Sequence, residues 1–141
     1  MSVPEALRLR VWQRAQGRCE YCLIHEEEFL FPHQIDHIRA VQHGGLTLAE
    51  NLALACGDCN RPKGPNLSSV DPDSNEPVWL FNPRRDQWTE HFAMDGAFIG
   101  GLTPVGRATV FLLRFNSEDR IRLRRRLRGE GRFPMHNAAP G

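Results

Sequence analysis

The chain holds four cysteines, and they stand as two Cys-x-x-Cys pairs, Cys19-Glu20-Tyr21-Cys22 and Cys56-Gly57-Asp58-Cys59. Each pair brings two thiolates onto one side of a tight turn, and zinc takes four ligands at tetrahedral corners. Two pairs therefore complete a closed structural zinc site at Cys19, Cys22, Cys56 and Cys59, with no open position for chemistry. The segment between the pairs is longer than in the simplest zinc ribbons, so it must carry structure of its own. Metal bound in this way contributes ~10–16 kcal/mol of apparent folding free energy. That matters for a chain of 141 residues, whose core is modest.

Composition places the chain among soluble globular proteins. Hydrophobic residues make up 40% and charged residues 25%, which excludes wholesale disorder. No run of ~18 apolar residues marks a membrane span. The first ten residues are polar and charged and lack a signal-peptide apolar region, so a cytoplasmic location is expected. In that compartment cysteines stay reduced, and a patterned set points to metal before disulfides. The net charge of +1 does not by itself announce a nucleic-acid binder. The distribution says more: Lys63 is the one lysine, and every other basic residue is arginine, whose flat donor fork matches phosphate oxygens. Arg114, Arg120, Arg122, Arg124, Arg125, Arg126 and Arg128 concentrate a local basic field. Leu113, Ile121, Leu123 and Leu127 would give that stretch its buried side, with the arginines either solvated or docked on phosphates.

Local signals predict an α+β chain. Ser2 to Glu5 reads as a capping box, and Leu7, Val11 and Ala15 recur at helical spacing, so a helix is expected over residues 4–16 with Gly17 as its stop. Phe29-Leu30-Phe31, residues 34–38 and residues 52–55 read as short strands. Thr47 to Glu50 is a second capping-box pattern, expected to start one helical turn that presents Asn51. A short helix follows the second cysteine pair. Residues 66–77, rich in Ser, Asp, Pro and Asn, read as a linker. Residues 78–81, 88–92 and 97–99 are expected to form a small antiparallel meander. Thr103-Pro104 begins a helix running to Phe115, and Ser117-Glu118-Asp119 begins another ending near Gly129. The expected organisation is a zinc-stapled core at residues 1–66, an extension at 67–130 packed on it, and a flexible tail at 131–141.

The enclosed segment carries Asp36-His37-Ile38, Gly44-Gly45 and Glu50-Asn51-Leu52, and the second pair runs on into Cys59-Asn60-Arg61-Pro62-Lys63-Gly64. With the two cysteine pairs, this combination resembles the HNH endonuclease family over residues 19–64. The resemblance extends in outline to members with a C-terminal stretch like Leu80-Phe81-Asn82-Pro83-Arg84, Trp88, His91-Phe92 and Gly106-Arg107-Ala108-Thr109. It implies a ββα-metal, treble-clef-like core in which His37 is the general base, Asp36 and Asn60 are ligands of one divalent ion, and Asn51 orients His37. The third position of the family name is filled here by Asn60 in place of histidine.

The chemistry supports that reading independently. A neutral histidine with an ordinary pKa of ~6.5 accepts a proton at cellular pH. A carboxylate and an amide oxygen are hard donors that suit Mg²⁺ or Mn²⁺ and leave positions for water and phosphate. Neighbours on a strand point to opposite faces, so Asp36 and His37 serve one site only if the strand twists or ends there. Arg39, Arg61 and Lys63 are candidate contacts to a nucleic-acid backbone. His33 and His43 read most simply as solvated loop residues, and His91 as structural. His25 and His136 carry no signal. The expected partner is DNA, with RNA left open, and the expected activity is metal-dependent phosphodiester hydrolysis. The competing reading is a non-catalytic zinc module that binds nucleic acid or a protein.

Overall fold

A computed structural model describes residues 3–133. It is a mixed α+β structure in which the described strands form three separate two-stranded antiparallel sheets. The chain divides into two compact units. One runs to Leu67 and takes back Asn82–Arg85; the other comprises Ser68–Phe81 and everything from Asp86. Ser2 and most of the expected tail lie outside the described residues.

In the first unit, α1 spans Glu5–Ala15. Its N-cap is Pro4, with no side-chain cap, and it stops where Gln16 and then Gly17 turn left-handed, at φ 56° and 72°. Val11 and Ala15 face inward with Val3 and meet Leu52 and Leu54; Leu7 and Ile35 pack at the edge of the same cluster. Strands β1 (Gln34–His37) and β2 (Leu52–Ala55) pair antiparallel, His37 opposite Leu52 and Asp36 opposite Ala53. Every residue of β2 is buried, which suits its unbroken Leu-Ala-Leu-Ala run. The first cysteine turn adds a further rung, because Glu20 N donates to Leu54 O at 2.8 Å and Glu20 Oε2 accepts from Leu54 N at 2.8 Å. Helix α2 spans Gly57–Lys63 and packs on β1. Pro62 falls in its last turn, and the helix ends at its C-cap, Gly64, whose N still donates to Asn60 O at 3.0 Å before the chain turns away at φ 50°.

Two local expectations are corrected here. Phe29-Leu30-Phe31 is not a strand; a 3₁₀ turn at Glu26–Glu28 leads into bends, and Leu30 and Phe31 are exposed. Thr47 is not the N-cap residue of the next turn. That turn is a 3₁₀ segment at Ala49–Asn51 with Leu48 at its N-cap, and the Thr47 hydroxyl lies 3.0 Å from His37 Nε2.

The second unit departs further. The expected linker contains strand β3 (Ser68–Val70), which pairs with β4 (Pro77–Trp79). Asp71 closes the connection, accepting from Asp73 N at 3.0 Å and the Ser74 hydroxyl at 3.1 Å. The expected meander is not formed. Helix α3 (Trp88–His91) leads into β5 (Phe92–Asp95), which among the described residues pairs with β6 (Phe98–Gly101) alone, across the Asp95-Gly96 turn. Helix α4 (Pro104–Leu112) starts as expected, with the Thr103 hydroxyl accepting from Gly106 N at 3.0 Å. Gly106 is required: a Cβ there would lie 2.1 Å from His91 O. Helix α5 (Glu118–Gly129) follows Ser117. Phe81 meets Phe92 edge to face and Phe92 meets Phe115 at a tilt, with centroids 5.2 and 5.6 Å apart, among the buried residues of this unit.

Helix α5 is not simply a solvated basic face. Its inward stripe is Arg120, Arg124 and Leu127. Arg124 is 0% exposed and donates to Ala97 O at 2.7 Å, Phe115 O at 2.6 Å and Asn116 Oδ1 at 2.9 Å. Arg120 donates to Leu113 O at 2.7 Å.

Candidate metal centre and active site

The first cysteine turn is fixed by its own backbone. Cys19 N donates to Ile24 O and Leu23 N to Cys19 O, at 3.0 and 2.8 Å, with Leu23 left-handed at φ 69°. The second is the start of α2: Cys56 is the N-cap and Cys59 lies in the first turn. The β1–β2 hairpin brings the two turns together. All four sulfurs are buried and lie within 4.8 Å of one another, with Cys22 Sγ 3.7 Å from Cys56 Sγ. Hydrogen bonding from Cys19 and Cys22 pushes the Cys56 thiol up, and burial pushes Cys59 up. Four thiols so placed become thiolates only with a cation among them, so the donor set fits a tetrahedral zinc ion. The four cysteines are thus positioned to form a zinc site.

Beside this cluster lies a second polar group. Along β1, Gln34 and Asp36 face α2, while Ile35 faces the α1 core. Asn60 Nδ2 donates to Gln34 Oε1 at 2.6 Å. One helical turn on, Lys63 Nζ stands 3.1 Å from Asp36 Oδ2, 3.3 Å from Asp36 Oδ1 and 3.4 Å from Ile38 O. The Tyr21 hydroxyl, from the first cysteine turn, donates to Asp36 Oδ2 at 2.8 Å. Asp36 and Lys63 are 5% and 2% exposed. Burial raises Asp36 above the usual carboxylate range, and Lys63 and Tyr21 pull it back. Burial, then the Asp36 charge, push Tyr21 up so that it remains a donor.

His37 is the last residue of β1 and shares parity with Ile35, away from Asp36. It is half-buried, and its Nε2 lies 3.0 Å from the Thr47 hydroxyl. Asn51 touches the loop after β1 and not the imidazole. Its Oδ1 accepts from Arg39 N at 2.9 Å, and its Nδ2 donates to Arg39 O at 3.0 Å and Leu46 O at 2.8 Å. Gly45 lets that loop close, since a Cβ there would overlap Arg39 O at 1.7 Å. Arg39 and Arg61 are exposed; Arg61 has Asp58, at 3.5 Å, as an ion partner. Lys63, by contrast, is an internal residue in this structure.

The structure therefore brings Asp36, Lys63 and Tyr21 into contact, sets Asn60 on the same face through Gln34, and turns His37 to the other side of the strand end. Hard oxygen donors suit a divalent ion of the Mg²⁺ or Mn²⁺ class. The Asp36 carboxylate, the Ile38 carbonyl and the Asn60 amide oxygen are of that type, and a cation, the Lys63 ammonium, already stands on the first two. The donor set fits. Sequence reasoning missed Tyr21, Gln34 and Thr47. Tyr21 is the chain's one tyrosine and sits at a spacer position of a metal pattern, where nothing in the spacing flags it. It also misread His33, which is buried, with Nε2 2.9 Å from Ile24 O and its ring on Phe29. His91 Nδ1 lies 2.6 Å from the Thr103 hydroxyl.

No helix among the described residues is long and apolar enough to cross a membrane. No curated protein and no solved structure matches the chain. The model of the HNH endonuclease family does match, and it covers residues 19–66, so that both cysteine turns, β1, β2 and α2 all lie within the matched residues.

Proposed function

We propose that this chain is a metal-dependent endonuclease that hydrolyses phosphodiester bonds in DNA, with residues 19–66 as a ββα-metal, treble-clef-like core. The observation that carries the reading is the family match on a segment in which His37 stands half-exposed at the end of β1, its Nε2 held by Thr47. In this reading Thr47 accepts from Nε2–H, and the Nδ1 lone pair takes a proton from the attacking water. Asn51 fixes the loop that follows His37 and so orients the base indirectly. Asp36 and Asn60 would hold a divalent ion of the Mg²⁺ or Mn²⁺ class, which when bound would supply charge neutralisation at the scissile phosphate and leaving oxygen. Arg39 and Arg61 are exposed to meet the phosphate backbone, which makes binding fall with salt. The reduced four-thiol site suits a cytoplasmic location.

The test is cleavage of supercoiled plasmid with Mg²⁺ or Mn²⁺. Wild-type protein should nick or cut it, and His37→Ala should lower the rate by about 10²–10⁴-fold. Equal rates in the two proteins would remove the assignment. Parallel RNA and structured-DNA substrates define the substrate class.

A second reading is favoured by one observation: the Asp36 carboxylate is already matched by Lys63 and Tyr21. On that reading the segment is a non-catalytic zinc module that binds nucleic acid or a protein. It requires that no metal supports plasmid cleavage and that His37→Ala leaves binding intact.

A further inference from the structure

Lys63 sits oddly for a basic residue. It is 2% exposed, although lysine is among the residues least often fully buried. Its ammonium touches three oxygens, at 3.1, 3.3 and 3.4 Å, all longer than the 2.7–2.9 Å of a tight charge-assisted bond. Asp36 is held independently, through the Tyr21 hydroxyl at 2.8 Å. The carboxylate thus keeps its place whether or not the ammonium is there, while the ammonium rests loosely on a carboxylate and a backbone carbonyl. Oxygens of these two kinds are the ordinary ligands of hard divalent cations.

We propose that Lys63 is a built-in placeholder cation. Its ammonium fills the oxygen seat made by Asp36 and Ile38 when no divalent ion is bound, and an ion binding Asp36 expels it towards solvent. The inference rests on the reading of Asp36 as an ion ligand. Its physical ground is that an ammonium and a divalent ion on one buried carboxylate repel each other strongly in a medium of low dielectric constant. Occupancy by one is therefore coupled to departure of the other, and the coupling is reciprocal. The placeholder keeps a buried carboxylate from standing uncompensated before the ion arrives. Lys63 lies at the last residue of α2, next to Gly64 at φ 50°, so its release needs no break within the helix.

The chain offers a direct readout, because Lys63 is its one lysine. Zinc-loaded full-length protein is treated with an amine-acylating reagent, and the peptide containing residue 63 is followed by mass spectrometry, apart from the N-terminal amine. Labelling should be slow without a second metal and rise about fivefold or more with saturating Mn²⁺. An unchanged or slower rate overturns the proposal. Mn²⁺ binding is measured in parallel by electron paramagnetic resonance on wild type, Lys63→Met, Lys63→Arg and the Asp36→Asn/Lys63→Met double variant, each checked for zinc content. Lys63→Met should bind Mn²⁺ about tenfold more tightly or better, Lys63→Arg should not, and the double variant should lose the site. If Lys63→Met proves unstable, the labelling experiment on wild type decides alone. Unchanged affinity in Lys63→Met, with loss in the double variant, overturns the placeholder and leaves the nuclease reading standing. Absence of any Mn²⁺ site in wild type and Lys63→Met overturns both.

Discussion

Each unit sets an antiparallel hairpin against a helix, β1–β2 with α2 in the first and β5–β6 with α4 in the second, but the polar groups they bury are of different kinds. The first unit gathers four thiols around a metal position and seats one lysine on one carboxylate. The second has no such cluster among its described residues. It threads guanidinium groups inward, Arg124 onto two backbone carbonyls and Asn116, and Arg107 onto Asp71 at 2.9 and 2.8 Å. A guanidinium spreads its charge over five donors in a fixed fork, so it satisfies several acceptors at once and has little reason to leave. An ammonium is a compact charge on a flexible stem. The difference separates a cation built to stay from one that can be exchanged, and it puts the exchangeable one beside the candidate active site.

That contrast can be broken at its strongest point first. Removing the metal with a chelator, or replacing Cys59 with Ser, should cost the first unit about 10 kcal/mol or more and abolish its fold. Hydrogen exchange should then lose protection at Leu52–Ala55 and keep it at Phe98–Gly101. Loss at both would mean that the units do not fold by separate means. Truncating the buried cations comes next. Lys63→Met leaves Asp36 buried without its partner and should cost about 3–5 kcal/mol, much of it recovered in the Asp36→Asn/Lys63→Met double variant. Arg124→Met orphans several acceptors and should cost on the order of 3 kcal/mol, with no single second substitution able to recover it. Urea midpoints of the four proteins measure both. A full recovery of Arg124→Met by changing Asn116 alone would erase the distinction.

The smallest effect is a pH dependence. Hydrogen bonding from Arg107 holds Asp71 well below the usual carboxylate range. A carboxyl lowered in the folded state stabilises the fold above its unfolded pKa of ~3.9, and that share is lost as pH falls through the folded value. Arg107→Met should therefore lower the melting temperature at pH 7, and its deficit against wild type should shrink as pH drops below about 4. A deficit independent of pH would show that Arg107 acts by packing alone.

How much was legible in advance differs by element. The cysteine turns, α1, the strands at Gln34–His37 and Leu52–Ala55 taken singly, the Thr103 cap of α4 and the start of α5 were readable, because each depends on short-range spacing or on capping chemistry that one stretch of chain contains. The strand at Ser68–Val70 was not, since a segment rich in Ser, Asp and Pro carries no period-two apolar signal and is paired only by its partner at Pro77–Trp79. The arginines of α5 misled for a similar reason: a charged residue reads as a surface residue until a set of inward carbonyls supplies its acceptors. At the candidate site the residue types were visible, but their contacts were not.

The sequence by itself determined that four thiols are spaced to share one metal, and which histidine, carboxylate and asparagines lie between and just after the two pairs, because residue type and spacing fix ligand chemistry. Only the tertiary structure decided who touches whom. It set Lys63 and Tyr21 on Asp36, Thr47 on His37 and Asn51 on the loop at Arg39, since those pairs are joined by strand parity and helix pitch across distant positions, and no local pattern records them.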